Sequence, residues 1–213
     1  MTLKIDLEQL KQLYLEGKGS REIAKIAGVH STTIIKYLRD YGVTIRPTSS
    51  IRLYNVNDDY FETIDSKDKA YWLGWMFSDG FVTRQNTFGI NIQEKDVDIL
   101  TKFAFYLKAD NYKIKYAIKT KSYGMRFSSK KICADLNNYG IIPNKSLVLY
   151  NYLPESSDLI PHFIRGVFDG DGNIYITKKN DLRFRICGGC PEFLKYIQAY
   201  LVEELDLNDN KLY

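Results

Sequence analysis

The chain has 213 residues, of which 45% are hydrophobic and 26% are charged, as in an ordinary folded protein. No apolar run approaches the roughly 20 residues of a membrane helix, and the charged, amphipathic N-terminus is not that of a signal peptide. Only three cysteines occur, which favours a reducing environment over a disulfide framework. We therefore expect an intracellular, cytoplasmic protein with no membrane partner.

The net charge of +4 is concentrated at the N-terminal end of the chain. Residues 1–53 hold nine Lys/Arg and five Asp/Glu, whereas the remaining residues hold 21 of each sign. A small basic module on a neutral body favours an anionic partner such as nucleic acid. A basic segment that only increases solubility would have the same charge.

Residues 6–42 have the apolar spacing of three short helices. The second and third helices are separated by a tight turn at Gly28, which is the pattern of helix-turn-helix DNA readers. The segment GKGSREIAKIAGVHSTTIIKYL resembles the helix-turn-helix of resolvases and related recombinases, so we expect a DNA-binding module over residues 1–45. Three-helix bundles without a DNA partner share the pattern. The expected base and phosphate contacts on the third helix are Ser31, Thr32, Thr33, Lys36 and Arg39.

Residues 46–66 lack a sustained hydrophobic period and contain a proline followed by a Thr-Ser-Ser run. Such composition predicts a partly extended linker. Arg46 at its start is a candidate contact to the phosphate backbone, with a simply solvated side chain as the alternative.

From residue 67 onward the chain contains an internal repeat of helix, two strands and helix. The first copy covers residues 67–150 and begins its hairpin with the strand-like FVTRQ; the second covers residues 151–213. With two extra residues in the second hairpin, the alignment places Ile92 on Ile186. The first copy continues into two more strands and a helix, whereas the sequence ends where the third strand of the second copy is expected. The pattern predicts an α+β fold with a truncated second repeat.

Each copy begins with an apolar helix that ends on an aspartate, in WLGWMFSDG and IRGVFDGDG. Small residues four apart form a bare stripe on each helix, so the two helices are expected to pack closely around an approximate two-fold axis. Gly80 and Gly172 follow the aspartates and are expected to end the helices in the left-handed conformation. The residues of the two stripes are Gly74, Ser78, Gly166 and Gly170.

Asp79 and Asp171 are then expected side by side at the negative ends of two helix dipoles. Their repulsion raises both pKa values unless a cation lies between them. Mg²⁺ or Mn²⁺, bound through oxygen ligands, relieves the repulsion and can activate water for phosphodiester hydrolysis. The alternative is a core helix with an ordinary glycine cap and a turn aspartate.

The two motifs resemble the dodecapeptide motifs of the LAGLIDADG homing endonucleases, and the resemblance covers residues 60–213. It implies duplicated α-β-β-α repeats that form a saddle on double-stranded DNA, in a monomer with pseudo-two-fold symmetry. It also implies metal-dependent cleavage of both strands. The first motif departs from the family pattern at Phe77, where aspartate is frequent.

The resemblance carries metal ligation over to the final aspartates of the motifs, Asp79 and Asp171, with Gly80 and Gly172 beside them in the metal site. The family has a basic residue near the metal-bound water, which corresponds to Lys145 in GIIPNKS. Asp169 is expected to have a structural capping role. No counterpart of Lys145 exists in the second copy.

The strands carry polar and basic side chains that suit the major groove of DNA. In YKIKYAIKTK four lysines alternate, so one long strand would present all of them on one face. A solvated face or a lysine-protected sheet edge is the alternative. The candidate DNA contacts are Arg84, Gln85, Asn91, Gln93, Lys113, Lys115, Lys119, Lys121, Arg183 and Arg185.

The residues and the resemblance together predict a homing endonuclease encoded by a phage, prophage or bacterial mobile element. A catalytically inactive DNA-binding protein or transcription regulator is the alternative, which the incomplete second repeat favours. An RNA maturase is a third and less favoured reading. Another chain that completes the second repeat is a further possible partner.

Overall fold

The computed structural model of the protein describes residues 4–46, 55–109, 112, 114–118, 120–148 and 151–208. The chain divides into two compact units, Met1–Leu53 and Tyr54–Tyr213. Within the described ranges, no helix is long and apolar enough to cross a membrane.

The first unit is a bundle of three helices, α1 (Leu7–Leu15), α2 (Ser20–Ala27) and α3 (Ser31–Asp40). Gly28 joins α2 to α3 with φ +69° and ψ +28°, so the predicted glycine turn is present in the left-handed region that glycine adopts readily. Each helix buries one face. The buried residues of this core are Leu10, Tyr14, Ile23, Ala24, Ala27, Ile34 and Leu38.

The second unit mixes helices with antiparallel strands, which confirms the α+β class. Its first part contains α4 (Lys67–Phe77), β1 (Gly80–Val82), β2 (Thr87–Gln93), α5 (Val97–Tyr106), β3 (Lys115–Ala117), β4 (Ser122–Ser128) and α6 (Lys130–Asn138). Its second part contains α7 (Ile160–Asp171), β5 (Gly172–Ile176), β6 (Leu182–Ile186) and α8 (Pro191–Leu205).

The strands form two antiparallel sheets, one of four strands in the order β1-β2-β4-β3 and one of two strands, β5-β6. Helices α5 and α6 pack on β2 in the first sheet. The inward side chains Phe88, Ile90 and Met125 are fully buried there because apolar side chains alternate along β2 and β4. The core of the unit therefore lies between this sheet and its helices, and it continues into the pair formed by α4 and α7.

Two segments of the second unit have the same order of elements, α4-β1-β2-α5 and α7-β5-β6-α8. Gly80 pairs with Ile90 in the first hairpin, and Gly172 pairs with Ile186 in the second. The counterpart of Ile186 is therefore Ile90, and the predicted alignment with Ile92 is wrong by two positions along β2. The reason is that the arms of the second hairpin are longer, since β1 has three residues and β5 has five.

The predicted long lysine strand is not formed. β3 contains only three residues, of which Lys115 is one, and Lys121 lies in a turn with φ +48°. Lys113 and Lys119 lie outside the described residues. A left-handed turn interrupts the two-residue alternation of a strand, so the prediction that four lysines share one strand face is wrong.

Candidate functional site

The helices α4 and α7 are in backbone contact along their small residues. A Cβ atom added to Gly74 would overlap the carbonyl oxygen of Phe163 and would lie 2.9 Å from the Cα of Gly166. A Cβ atom added to Gly166 would overlap the carbonyl oxygen of Tyr71. Side chains at these positions would force the helices apart, so the close packing expected from the bare stripes depends on the glycines.

The contact continues to the ends of both helices. A Cβ atom added to Gly170 would overlap the hydroxyl oxygen of Ser78 and would lie 3.2 Å from Oδ2 of Asp79. Asp171 is the last residue of α7, and Asp79 lies two residues beyond the end of α4. The missing side chain at position 170 therefore leaves room for the carboxylate of the other helix.

Both carboxyl groups have raised pKa values, and the charge of Asp171 acts on Asp79. Burial raises the pKa of Asp79 to about 6, and the charge of Asp171 adds to the increase. Burial also raises the pKa of Asp171, while Lys145 opposes this increase. Two partly buried carboxylates that repel each other form a site at which a cation is stabilised.

Lys145 lies beside the carboxylates and is only 6% exposed. Its Nζ atom donates hydrogen bonds of 2.6 Å to the carbonyl oxygen of Phe77 and 2.8 Å to that of Ser78. These carbonyls belong to the last turn of α4, where helix geometry leaves acceptors without a partner in the helix. Burial lowers the pKa of Lys145 to about 8, against the opposing effects of Asp171 and Asp79. Lys145 therefore fixes the end of α4 and places a basic group next to both acids.

The expected left-handed caps at Gly80 and Gly172 are wrong. Gly172 has φ −90° and ψ 160°, which is extended backbone, and Gly80 is the first residue of β1 rather than a left-handed cap. Glycine is needed at both positions for space, because a Cβ atom would overlap the main chain of Met76 or of Phe168. The absence of a side chain lets each chain pass directly from helix into strand.

Asp169 does not cap a helix end. It is exposed, and its Oδ2 atom accepts a hydrogen bond of 2.8 Å from the hydroxyl of Tyr71 on α4. The guanidinium of Arg165 lies 4.5 Å from the centre of the Tyr71 ring. The expected capping role is therefore replaced by a cross-link between α7 and α4.

The side chains at the helix ends fit a hard divalent cation. Among the described residues, no group of three or more His, Cys, Asp or Glu side chains is arranged to hold a metal ion. The pair of carboxylates offers oxygen donors, which suits Mg²⁺ or Mn²⁺ completed by water or substrate oxygens. It does not offer the nitrogen and sulfur ligands typical of zinc. Asp79 and Asp171 are the residues that would hold the ion.

Most of the predicted DNA contacts in the second unit are exposed. Asn91 and Gln93 alternate with the buried residues of β2, and Lys115 is exposed on β3. Arg84 and Gln85 are also exposed, but they lie in the β1–β2 turn rather than in the predicted strand. Arg183 and Arg185 are exposed on β6 and share one face, opposite to its apolar residues.

The sequence analysis missed Arg126, which lies on the outward face of β4. Gly89 lies between Arg126 and Phe81 in the sheet, and the guanidinium passes over this bare position to lie 5.0 Å from the centre of the Phe81 ring. The alternation in SYGMRFS could have revealed it, because Met125 and Phe127 are buried and the arginine between them points the other way.

In the first unit, α3 presents a shallow polar concavity of about 450 Å³. Four of the five predicted contacts line it, while Thr33 lies outside. The lining residues are Ser31, Thr32, Ile35, Lys36, Arg39 and Asp40. The basic side chains Lys36 and Arg39 are exposed and free of the ion pairs that the structure describes.

Arg46 has a structural position, which corrects the expected contact to DNA. Its guanidinium donates to the carbonyl oxygens of Tyr14, Gly17 and Lys18, at 3.0, 2.9 and 2.6 Å. It also lies over the Tyr14 ring at 4.1 Å. Three hydrogen bonds of the guanidinium are thus made to carbonyls in the last turn of α1 and just after it, and its Nε atom is buried, which fixes the chain where it leaves α3.

No known protein family matches this chain, and no curated protein is detectably similar to it. Function is therefore inferred from the residues and their geometry.

Proposed function

We propose that this protein is a metal-dependent DNA endonuclease of the LAGLIDADG type, which cuts both strands of double-stranded DNA at a long specific site. The observation that carries the proposal is the meeting of Asp79 and Asp171 at the ends of two helices in backbone contact. An ordinary pair of core helices does not require two acids to be partly buried together, because burial disfavours their charged forms and the pKa of Asp79 stays raised even beside Lys145.

Each residue of the site has a distinct task. Asp79 and Asp171 hold the divalent ion, each contributed by a different helix. Lys145 anchors the end of α4 and keeps a basic Nζ atom beside the carboxylates. A bound Mg²⁺ or Mn²⁺ ion supplies an activated water and stabilises charge on the phosphate oxygens. Gly80 and Gly172 allow both acids to approach the helix pair, and metal ligation by their backbone carbonyls remains part of the proposal.

The two helix–hairpin–helix segments support the duplicated repeats of that fold. One acid comes from each segment, which gives the site the pseudo-two-fold character suited to two antiparallel DNA strands. The outward faces of the hairpins bind the major groove through side chains that donate to base edges or phosphates. In the first unit, α3 adds affinity or site selection through its exposed lysine and arginine. A monomer encoded by a phage or other mobile element fits this activity.

Cleavage of a randomised plasmid library in the presence of Mg²⁺ tests the proposal. We expect linear and nicked products from the wild-type chain, and none from Asp79→Asn or Asp171→Asn. Asp169→Asn is the matched control. It changes an acid of the same motif whose side chain is hydrogen-bonded to Tyr71, and cutting is expected to persist. Absence of cutting by the wild-type chain, or equal cutting by all variants, would contradict the nuclease.

A second candidate is a DNA-binding protein that does not cut. The observation that favours it is the apolar face of the β5–β6 hairpin, which the described residues leave exposed in the second sheet. In that case the same plasmid DNA is bound in a strongly salt-dependent manner, with no metal-dependent products.

A further inference from the structure

Two of the three cysteines line a small cavity beside the candidate metal site. The cavity has a volume of about 170 Å³, and Cys187 and Cys190 line it together with Asp171 and Lys145. Both cysteines are free thiols, and only two glycines separate them in the chain. A pair of thiols therefore shares one cavity with an acid and the buried lysine of the candidate site.

The two thiols differ in accessibility. Cys187 follows β6 and is exposed, whereas Cys190, which precedes α8, is only 3% exposed. The Sγ atom of Cys190 also donates to Oε2 of Glu192 at 3.6 Å. Reaction of a thiol with a disulfide depends on access to its sulfur. A dissolved disulfide therefore reacts first with Cys187, and Cys190 has the position of a resolving thiol.

The chain between the thiols is short enough for a disulfide. Three residue steps span at most about 11 Å between Cα atoms when fully extended, and a disulfide holds its Cα atoms about 4.4 to 6.8 Å apart. A Cβ atom added to Gly188 would have its nearest contact at 3.5 Å, so this position is not tightly packed. Backbone rotation at Gly188 can therefore bring the two cysteines together, because no side chain there restricts it.

The loop that carries the cysteines contacts the backbone on two sides of the candidate site. The N–H group of Cys187 donates a hydrogen bond of 3.0 Å to the carbonyl oxygen of Asp171. At Gly189, an added Cβ atom would lie 2.6 Å from the carbonyl oxygen of Ser146, the residue that follows Lys145. A covalent closure of the loop therefore acts on the backbone that positions an acid and the lysine of the site.

We propose that Cys187 and Cys190 are a redox modification site, which a small-molecule disulfide converts reversibly into an intramolecular disulfide bond. In reducing compartments, the disulfides that do occur are mostly transient and act in sensing or catalysis. The bond constrains the loop behind Asp171 and Lys145 and thereby lowers cutting. This consequence for cutting rests on the proposed nuclease function, whereas formation of the bond does not.

The oxidation proceeds by two exchange steps. The thiol of Cys187 loses its proton to water, and its sulfur attacks one sulfur of the small disulfide, whose S–S bond breaks and releases one thiolate. The thiol of Cys190 loses its proton in the same way, and its sulfur displaces the second small thiolate from Cys187. The two thiolates take up the two protons. The protein thus loses two electrons and two protons, and the small disulfide is reduced to two thiols.

Oxidised glutathione is the probe for this site. The reduced, folded full-length chain is incubated with it, the exchange is stopped with acid, and the intact chain and its tryptic digest are analysed by mass spectrometry. Trypsin releases residues 186–195 as one peptide, which contains both Cys187 and Cys190. We expect this peptide to lose the mass of two hydrogen atoms in the wild-type chain, and dithiothreitol to restore it.

Two single variants separate the roles of the two thiols. Cys190→Ser removes the resolving thiol, so a mixed disulfide with one glutathione is expected to accumulate on Cys187. Cys187→Ser leaves the buried thiol alone and is expected to gain glutathione at least about tenfold more slowly. Cys133→Ser is the matched control and is expected to form the bond as the wild type does, because Cys133 is buried on α6.

The plasmid assay tests the consequence for the candidate site. Mg²⁺-dependent cutting by the wild-type chain is expected to fall at least about tenfold on oxidation and to return with dithiothreitol, because small displacements of reacting groups cost large factors in rate. Cys187→Ser cannot form the bond, so it is expected to cut equally with and without oxidised glutathione.

The two measurements fail separately. No loss of hydrogen from the tryptic peptide, or equal uptake of glutathione by the variants at positions 187 and 190, would overturn the modification site. Equal cutting by the oxidised and reduced wild-type chains would overturn its effect on the acid pair. Absence of cutting in both states would remove the nuclease and this effect together, while the mass measurements, which involve neither DNA nor metal, would still decide the disulfide.

Discussion

The segments α4-β1-β2-α5 and α7-β5-β6-α8 share an order of elements, and the first helix of each belongs to the central helix pair. They differ beyond that pair, because the first hairpin is covered by helices and extended by β4, whereas the inward face of the second is exposed. The acids of the candidate site come from both halves, but most of the buried apolar surface comes from the first. The candidate site thus depends on the contact of α4 with α7, to which both halves contribute. The stability of the second unit depends mainly on the buried surface of its first half.

The largest effect is expected where the two halves touch. Gly166→Ala places a Cβ atom onto the carbonyl oxygen of Tyr71, so we expect a loss of roughly 4 kcal/mol or more in the free energy of unfolding. Urea denaturation measures it. Gly188→Ala is the control, because its Cβ atom would have its nearest contact at 3.5 Å, with Leu194, and the expected change is within about 0.5 kcal/mol. Equal losses would show that the helix contact is not tight.

The asymmetry of the two sheets predicts the next effect. Phe88→Ala leaves a cavity in a fully buried position, so we expect a loss of about 3 kcal/mol in the free energy of unfolding. Phe184→Ala, at the matching position of the second hairpin, is expected to cost less than about 1 kcal/mol because Phe184 is already 60% exposed. Urea denaturation compares the two. A similar cost for both would mean that the second hairpin is covered in solution.

The repulsion at the shared site predicts a stabilising substitution. The pKa of Asp79 is raised from 3.8 to about 6 in the folded protein. Its contribution to stability is therefore fully present below about pH 3.8 and is lost as the pH rises through about 6. Asp79→Asn has no such loss. At pH 8 its free energy of unfolding is therefore expected to exceed that of the wild type by about 1 kcal/mol, after allowance for solvent screening. Near pH 3 no gain is expected.

Urea denaturation at several pH values in a chelating buffer measures this difference. Added Mg²⁺ is expected to stabilise the wild-type chain and to narrow the gap, since the ion binds the folded state. The control is Asp98→Asn, an exposed acid paired with Lys102 on α5, for which no gain at pH 8 is expected. A gain in both variants, or in neither, would show that Asp79 does not share an electrostatically unfavourable site with Asp171.

The smallest effect concerns the outward faces of the two halves, which both carry exposed arginines although the inward faces of the two hairpins differ. Arg126→Ala and Arg185→Ala are each expected to lower DNA affinity by about 1 kcal/mol and to reduce the salt dependence by about one phosphate contact. Titration of plasmid DNA at several salt concentrations measures both quantities. Lys102→Ala on α5 is the control and is expected to leave the slope unchanged. A response from only one of the two variants would restrict DNA contact to that half.

Sequence patterns predicted the parts of the fold that depend on local spacing. The three helices of the first unit and both hairpins follow from the periodicity of apolar residues, and the contact of α4 with α7 follows from small residues four positions apart on each helix. The extent of β3 was not predictable, because alternating lysines fit a strand and a turn equally well until Lys121 takes a positive φ. The register of the second hairpin was missed for a similar reason, since hairpin arms can lengthen without any change in alternation.

By itself the sequence determined which residues are small, acidic or apolar and on which face of an element they lie, because these properties follow from side-chain chemistry and a fixed local period. Only the tertiary structure decided which partners they meet. It placed Lys145 at two carbonyls at the end of α4, and it placed Arg46 at carbonyls in the last turn of α1 and just after it. It also showed that Gly80 and Gly172 are needed for close approach to the main chain of the preceding helix, not for left-handed caps. Contacts between residues far apart in the chain depend on how whole elements pack, and no local pattern encodes that packing.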